Sequence, residues 1–133
     1  MRTRLIAYWV TTALTAFAFL SGGVMDVVQP PDLLKGMTDL GYTAYFTTIL
    51  GVWKVLGGIT VLVPGFPRLK EWAYAGMFFD LSGAAASHAA VGDPVAKIVT
   101  PLILLGIVMA SWALRPASRT LGGTIVAPGP IAA

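Results

Sequence analysis

The sequence contains no cysteine among its 133 residues. Thiol catalysis, disulfide exchange, iron–sulfur clusters and cysteine-ligated zinc are therefore excluded within this chain. The only histidine, His88, also excludes a haem held by two histidines of one chain. We expect no metal centre and no covalently bound or cysteine-ligated cofactor.

Charged residues are also scarce. They make up 11% of the sequence, against about 25% in soluble domains, while 56% of the residues are hydrophobic and the mean hydropathy is +0.79. The net charge of +3 does not indicate a nucleic-acid partner, because the basic residues form no patch along the sequence. This composition predicts an integral membrane protein whose main partner is the lipid bilayer.

Four apolar stretches are each long enough to cross about 30 Å of hydrocarbon as a helix that rises about 1.5 Å per residue. They comprise residues 5–27, 44–63, 72–90 and 95–114. None of them alternates between polar and apolar residues, so membrane-spanning strands are not indicated. We predict an all-α fold, a single four-helix transmembrane bundle over residues 1–116. Residues 117–133 are rich in glycine and proline and are expected to form a flexible tail.

The basic residues predict how the bundle sits in the membrane. One set of helix ends carries six of them, which are Arg2, Arg4, Arg68, Lys70, Arg115 and Arg119. The other set carries only Lys35 and Lys97. By the positive-inside rule, both termini are expected in the cytoplasm. The first apolar stretch is too long for the apolar region of a signal peptide, so we expect it to be kept as a true helix.

The connection between the first two apolar stretches has its own pattern. Pro30 and Pro31 should end the first helix. Leu33, Leu34 and Met37 then recur at helical spacing. This spacing predicts a short amphipathic segment that lies on the outer membrane surface and covers the bundle.

Lys54 lies in the middle of the second apolar stretch, where an unpaired ammonium costs about 2.5–3.5 kcal/mol on insertion scales. Asp80 lies at the midpoint of the third stretch, at the same predicted depth. We therefore predict that Lys54 and Asp80 form a buried pair, directly or through one water. Such a pair either fixes the register of two helices or belongs to a ligand, proton or ion path.

A second polar layer is predicted closer to the outer surface. Asp26 and His88 fall at similar depths there, about 12–15 Å from the middle of their helices by rise per residue, and Ser87 precedes His88. We predict that Asp26 and His88 meet at the mouth of a pocket that opens outward, where His88 acts as a proton donor or gate. The simpler alternatives are an aspartate that caps a helix and a histidine held by a backbone carbonyl.

Several linked motifs lie around these residues, namely DLGY at 39–42, LGVWKVLGG at 50–58, PRLKEWAYAG at 67–76, FDLSGA at 79–84 and SH at 87–88. Together they span most of residues 20–114 and resemble the DoxX-like family. The resemblance implies a small four-helix protein of the bacterial plasma membrane, in a family of mostly unknown activity. The family name derives from a subunit associated with quinone-linked sulfur oxidation. The positions that match the family's motifs are Lys54, Asp80, Ser87 and His88.

Three functional hypotheses follow. In the first, a polar pocket in the bundle binds a small lipophilic molecule, for which a quinone is one candidate, and the protein serves as an accessory or ligand-binding subunit of a redox or stress system. The ligand-binding candidates are Asp26, Lys54, Asp80, Ser87 and His88.

In the second hypothesis the protein is an intramembrane enzyme. Asp80 or His88 would move a proton on a lipophilic substrate, and Lys54 would stabilise the developing anion. In the third it is a proton-coupled carrier, which at this length requires a homodimer. The sequence leaves open the cofactor, any partner redox subunit and the oligomeric state.

Overall fold

The computed structural model describes residues 2–121, and every regular element in that range is helical. The elements are α1 (Arg2–Val28), α2 (Pro31–Asp39), α3 (Ala44–Leu62), α4 (Pro67–Ala90), α5 (Val95–Ala113) and a 3₁₀ turn (Ala117–Arg119). No strand occurs within the described range. The prediction of an all-α fold is confirmed for this part of the chain.

Three of the described helices, α1, α3 and α5, are long and apolar enough to cross a membrane. The fourth long helix, α4, has 24 residues and a length of about 36 Å, but it is less apolar, so the four-span count stays a prediction. The bundle exposes large aromatic side chains around its circumference, including Phe17, Trp53, Trp72 and Phe79. Such a surface is suited to lipid and not to water.

The four long helices form a ring of antiparallel neighbours in chain order, closed by contacts between α5 and α1. The largest interfaces are those of α1 with α3 and of α4 with α5, whereas α3 and α4 meet over a smaller area. Side-chain contacts fix the direction of the helices: Gln29 at the end of α1 donates to Ala44 at the start of α3. Likewise, Tyr74 near the start of α4 meets Ser111 near the end of α5.

The helix ends follow from local sequence. Thr43 caps α3, since its hydroxyl accepts a hydrogen bond from the Phe46 N–H at 3.2 Å. The turn between α3 and α4 contains Gly65, whose φ of +77° favours glycine, and then Pro67 in the first turn of α4. The amphipathic segment predicted between the first two long helices is α2, which buries no residue. Its predicted position on the outer surface is not tested.

Two glycines allow α1 and α3 to approach until their backbones touch. A Cβ built on Gly23 would lie 2.7 Å from the Gly51 carbonyl oxygen, and one built on Gly51 would lie 2.6 Å from the Gly23 carbonyl oxygen. Any larger residue at either position would force the helices apart. This contact, which we call the glycine crossing, is the type of close packing by which helices associate in membranes.

The end of the bundle where α1 and α4 begin and α3 and α5 end is called here the basic end, because it carries the six basic residues named above. The tail predicted to be flexible from residue 117 begins there with the 3₁₀ turn. Arg119 in that turn is only 8% exposed, because its guanidinium is hydrogen-bonded to α1 and α3. The 3₁₀ turn packs against the bundle, and the rest of the predicted tail, residues 122–133, lies outside the described range, so the predicted domain boundary stays a prediction.

Candidate functional site

Lys54 forms an ion pair with Asp26, on the neighbouring helix α1. The distance between Lys54 Nζ and Asp26 Oδ2 is 2.9 Å, and Asp26 is 5% exposed. The glycine crossing positions the pair, because Asp26 follows Gly23 by three residues and Lys54 follows Gly51 by three. Asp26 Oδ2 accepts no well-aligned hydrogen bond within residues 2–121, so the contact is mainly electrostatic.

The direct contact predicted between Lys54 and Asp80 is therefore wrong, and the alternative of a contact through one water stays a prediction. Lys54 turns to α1 because the glycine crossing brings that helix closer than α4, which meets α3 over a smaller area. Asp80 interacts electrostatically with both Lys54 and Asp26. Within the described residues it makes no hydrogen bond and no ion pair of its own.

Asp80 and Lys54 share a cleft of about 420 Å³ between α3 and α4, with Phe19 of α1 at its back. The rest of the lining is mainly apolar and aromatic, and comprises Leu50, Trp53, Leu56, Gly57, Thr60, Leu69, Trp72, Ala73, Gly76 and Met77. An apolar cavity with a few converging polar groups is the usual form of a small-molecule site. The cleft uses the basic-end half of both helices, whereas the sequence analysis predicted a pocket that opens toward the opposite end.

The predicted outer layer is not assembled. His88 Nδ1 lies 2.6 Å from Asp93 Oδ2, in the turn that follows its own helix. Asp26 is paired with Lys54, so the predicted contact between Asp26 and His88 is wrong. The Ser87 hydroxyl meets the Tyr42 hydroxyl at 2.6 Å and donates to the Gly83 carbonyl. Neither Ser87 nor His88 lines the cleft.

The basic end contains a polar network that the sequence analysis missed. Lys70, Arg115 and Arg119 were interpreted as surface charges that set the topology, yet their residues are 0%, 7% and 8% exposed. Arg115 Nη2 lies 2.6 Å from Glu71 Oε1, and its guanidinium also lies over the Tyr74 ring. The charge of Arg115 is thus neutralised by a carboxylate from the neighbouring helix.

Lys70 and Arg119 satisfy the last carbonyl groups of α3. Arg119 donates to Val61 O at 3.0 Å and to Leu62 O at 3.2 Å, and Lys70 donates to Val63 O and Gly65 O. The final carbonyls of a helix have no partner within the helix and carry a partial negative charge, so cations are favoured there. These two residues close the end of α3.

Lys70 lies ahead of the apolar stretch 72–90, in the first turn of α4. Burial, together with the positive charges of Arg119 and Arg115, lowers the pKa of Lys70 to about 8. In contrast to Arg115, which pairs with Glu71, Lys70 is held only by the carbonyl oxygens of Val63 and Gly65 among the described residues.

Further into the bundle the network continues as hydroxyl groups. Ser111 meets the Thr12 hydroxyl at 2.6 Å and the Tyr74 hydroxyl at 2.7 Å, and all three residues are buried. Thr15, the next buried hydroxyl on α1, has no hydrogen-bond partner within residues 2–121. Phe19 and Met77 follow and belong to the apolar core. A pattern that could have revealed the network is the run Tyr8, Thr12, Thr15, Phe19, which follows one face of α1.

An apolar helical bundle with an ion pair between two of its membrane-spanning candidates, α1 and α3, defines an integral membrane protein. A family model described as the DoxX-like family matches residues 10–111. The chain therefore belongs to the DoxX-like family, as the motifs predicted. No curated protein and no solved structure matches the sequence.

Proposed function

We propose that this DoxX-like protein binds a small lipophilic molecule in the cleft between α3 and α4. The observation that carries the proposal is Asp80, a carboxylate in the middle of α4 that lines the cleft without an ion-pair or hydrogen-bond partner among the described residues. A charged group at this depth is costly unless a partner compensates it, and such groups usually mark a ligand or ion path. A bound molecule would provide that partner.

The walls of the cleft support a ligand that arrives through the bilayer. Trp53 and Trp72 line it and are 64% and 72% exposed on the surface that faces lipid. The cleft therefore opens sideways into the membrane. A quinone-like molecule satisfies this description, since its ring would stack between aromatic side chains and its carbonyl oxygens would accept hydrogen bonds from Lys54.

Two glycines on α4 provide a matched test. Gly76 lines the cleft and Gly83 does not, and a Cβ on either glycine would meet nothing within 4 Å. Gly76→Leu should fill the cleft without disturbing the packing, and Gly83→Leu should leave the cleft open. We expect mass spectrometry of protein purified from native membranes to find a bound lipophilic molecule in wild type and Gly83→Leu, and to find it lost in Gly76→Leu. Equal retention by both variants would contradict the proposal.

The second candidate function is an intramembrane acid–base enzyme, which the unpartnered carboxylate of Asp80 also favours. A general base must be free to accept a proton from its substrate. If Asp80 acts in this way, Asp80→Asn should stop conversion of the bound molecule while its affinity stays the same. A binding protein would show no conversion in the wild type.

We further propose that the basic end faces the cytoplasm of a bacterial cell, and that the protein is an accessory subunit of a redox or stress system in the plasma membrane. Six basic residues at one end support this orientation. Cysteines introduced at Ala117 and Lys35 should react with an impermeant reagent from the cytoplasm and from the outside respectively. Reaction of both from the same side would refute the orientation, and purification without any partner subunit would refute the accessory role.

A further inference from the structure

The three ionisable residues of the bundle interior do not balance in charge. Asp26 and Lys54 form an ion pair and neutralise each other. Asp80 interacts with both of them through their charges, and it adds a second carboxylate to one ammonium. With all three groups ionised, this charge cluster of Asp26, Lys54 and Asp80 carries a net charge of −1.

No other cation lies at the cleft to offset this charge. Among the described residues that line it, Lys54 is the only basic one. The buried basic residues of the basic end are held by carbonyl oxygens or by Glu71, and Arg2, Arg4 and Arg68 are exposed to solvent and do not line the cleft. The balancing positive charge is therefore either a proton on Asp80 itself or a cation from outside the protein.

The side chains around Asp80 favour one chemical class of partner. Trp53, Trp72 and Phe19 line the same cleft, and the faces of aromatic rings attract cations. A carboxylate combined with aromatic faces, in a site of about 420 Å³, is a typical arrangement for binding an ammonium group with apolar substituents. A lipid-facing opening restricts the ligand to molecules that partition into the bilayer.

We propose that the ligand of this cleft is a lipophilic cation, an alkylated amine or quaternary ammonium, whose positive charge is held by Asp80. This inference rests on the proposed function and narrows it to one charge class. It depends on the observed pairing of Lys54 with Asp26. Had Lys54 paired with Asp80 instead, the cleft would present a neutral pair and favour an uncharged ligand.

Two probes of the same shape distinguish the contribution of charge to the binding affinity from the contribution of shape. Benzyltrimethylammonium carries a positive charge, and neopentylbenzene is its uncharged carbon analogue. Binding of each is measured by saturation-transfer NMR on the full chain in phosphatidylcholine nanodiscs, whose neutral surface does not concentrate cations. We expect wild type to bind the cation about tenfold or more tightly than the analogue.

Substitutions of the carboxylate complete the test. Asp80→Asn should remove the preference, so that the cation and the analogue bind with similar affinity, while Asp80→Glu should keep the preference. Asp93→Asn is the matched control, because it removes a carboxylate that does not line the cleft. Should Asp80→Asn fail to fold, the ratio of the affinities for the cation and for the uncharged analogue, measured in wild type and in Asp80→Glu, still tests the proposal.

The outcomes separate this inference from the proposed function. Equal affinity of wild type for both probes, with both lost in Gly76→Leu, would overturn the cationic class and retain a lipophilic site. A preference for the cation that survives Asp80→Asn would also overturn it. Binding of neither probe to wild type, together with no co-purified molecule in native membranes, would overturn both.

Discussion

At the basic end of the bundle, Lys70, Arg115 and Arg119 are buried and each is held by carbonyl oxygens or a carboxylate. In the middle of the bundle, Lys54 is matched by Asp26 but Asp80 has no counterpart among the described residues. Both regions bury ionisable groups, yet only the first satisfies them all. A fully paired network fixes structure, whereas an unmatched group next to a cleft is available to a ligand. We therefore expect the basic end to serve structure alone, and the middle of the bundle to combine the structural pair of Asp26 and Lys54 with the proposed binding site at Asp80.

The largest effect is expected where an existing pair in the middle of the bundle is broken. Lys54→Met strands the carboxylate of Asp26, and removing one partner of a buried pair costs about 3–5 kcal/mol. Lys54→Met combined with Asp26→Leu should recover part of that free energy of unfolding, measured in detergent micelles. Lys54→Met combined with Asp80→Leu should recover less. The reverse order of the two double variants would mean that Lys54 pairs with Asp80 after all.

The basic end is tested by removing Arg119. Arg119→Ala leaves the carbonyls of Val61 and Leu62 and the hydroxyl of Tyr8 without their donor. We expect the free energy of unfolding to fall by about 2–3 kcal/mol, with ligand binding unchanged. Arg68→Ala is the control, because Arg68 is exposed and makes no hydrogen bond within residues 2–121. Equal stability of the two variants would show that the basic end does not hold the bundle together.

The glycine crossing links the two regions, since it sets the position of the ion pair. Gly23→Ala places a methyl group 2.7 Å from the Gly51 carbonyl oxygen, and overpacking of this kind costs about 1–3 kcal/mol. Gly83→Ala has open space around it and should be neutral or stabilising by up to about 1 kcal/mol, because alanine favours helix. The thermal midpoint of Gly23→Ala should therefore be lower than that of Gly83→Ala. A neutral Gly23→Ala would indicate that α1 and α3 are further apart.

The last prediction concerns pH and the basic end alone. The pKa of Lys70 is about 8 in the folded protein, whereas a lysine in an unfolded chain has its ordinary pKa of 10.5. Between these values the unfolded chain binds more protons than the folded one, so the free energy of unfolding should rise as the pH increases from about 8 to 10.5. Lys70→Met should lack this rise when its thermal midpoint is followed over the same window. A wild-type midpoint that falls in step with that of the variant would contradict the effect.

Much of the fold was predictable because apolar run length determines which segments become long helices. The short amphipathic helix that begins at Pro31 was predictable from the spacing of its leucines and methionine. The partner of Lys54 was not predictable from depth, because Lys54 and Asp80 have the same predicted depth in the membrane. The side chain of lysine spans several ångströms, and the glycine crossing brings α1 within its reach. The spacing of Gly23 to Asp26, matched by that of Gly51 to Lys54, is the pattern that would have predicted the pair.

The basic end was missed for a different reason. Positive charges beside apolar stretches are expected to lie in water near the membrane surface, and Arg2, Arg4 and Arg68 do so. Lys70 and Arg119 are buried because α3 ends with carbonyl groups that require donors, a demand that is visible only when the helices are assembled. The cleft was likewise unpredictable in position, since it results from the small interface between α3 and α4.

The hydrogen bond from Arg119 to Val61 has a consequence for biosynthesis. Its two residues are 58 positions apart, and Arg119 follows α5 in the chain. When α3 leaves the ribosome, the donor for its final carbonyls has not yet been synthesised, so that end of the helix must remain in contact with water. The bundle can close at its basic end only after α5 has been inserted. Chains released before residue 119 would therefore display an open helix end, a feature by which quality-control proteases could distinguish them from finished molecules.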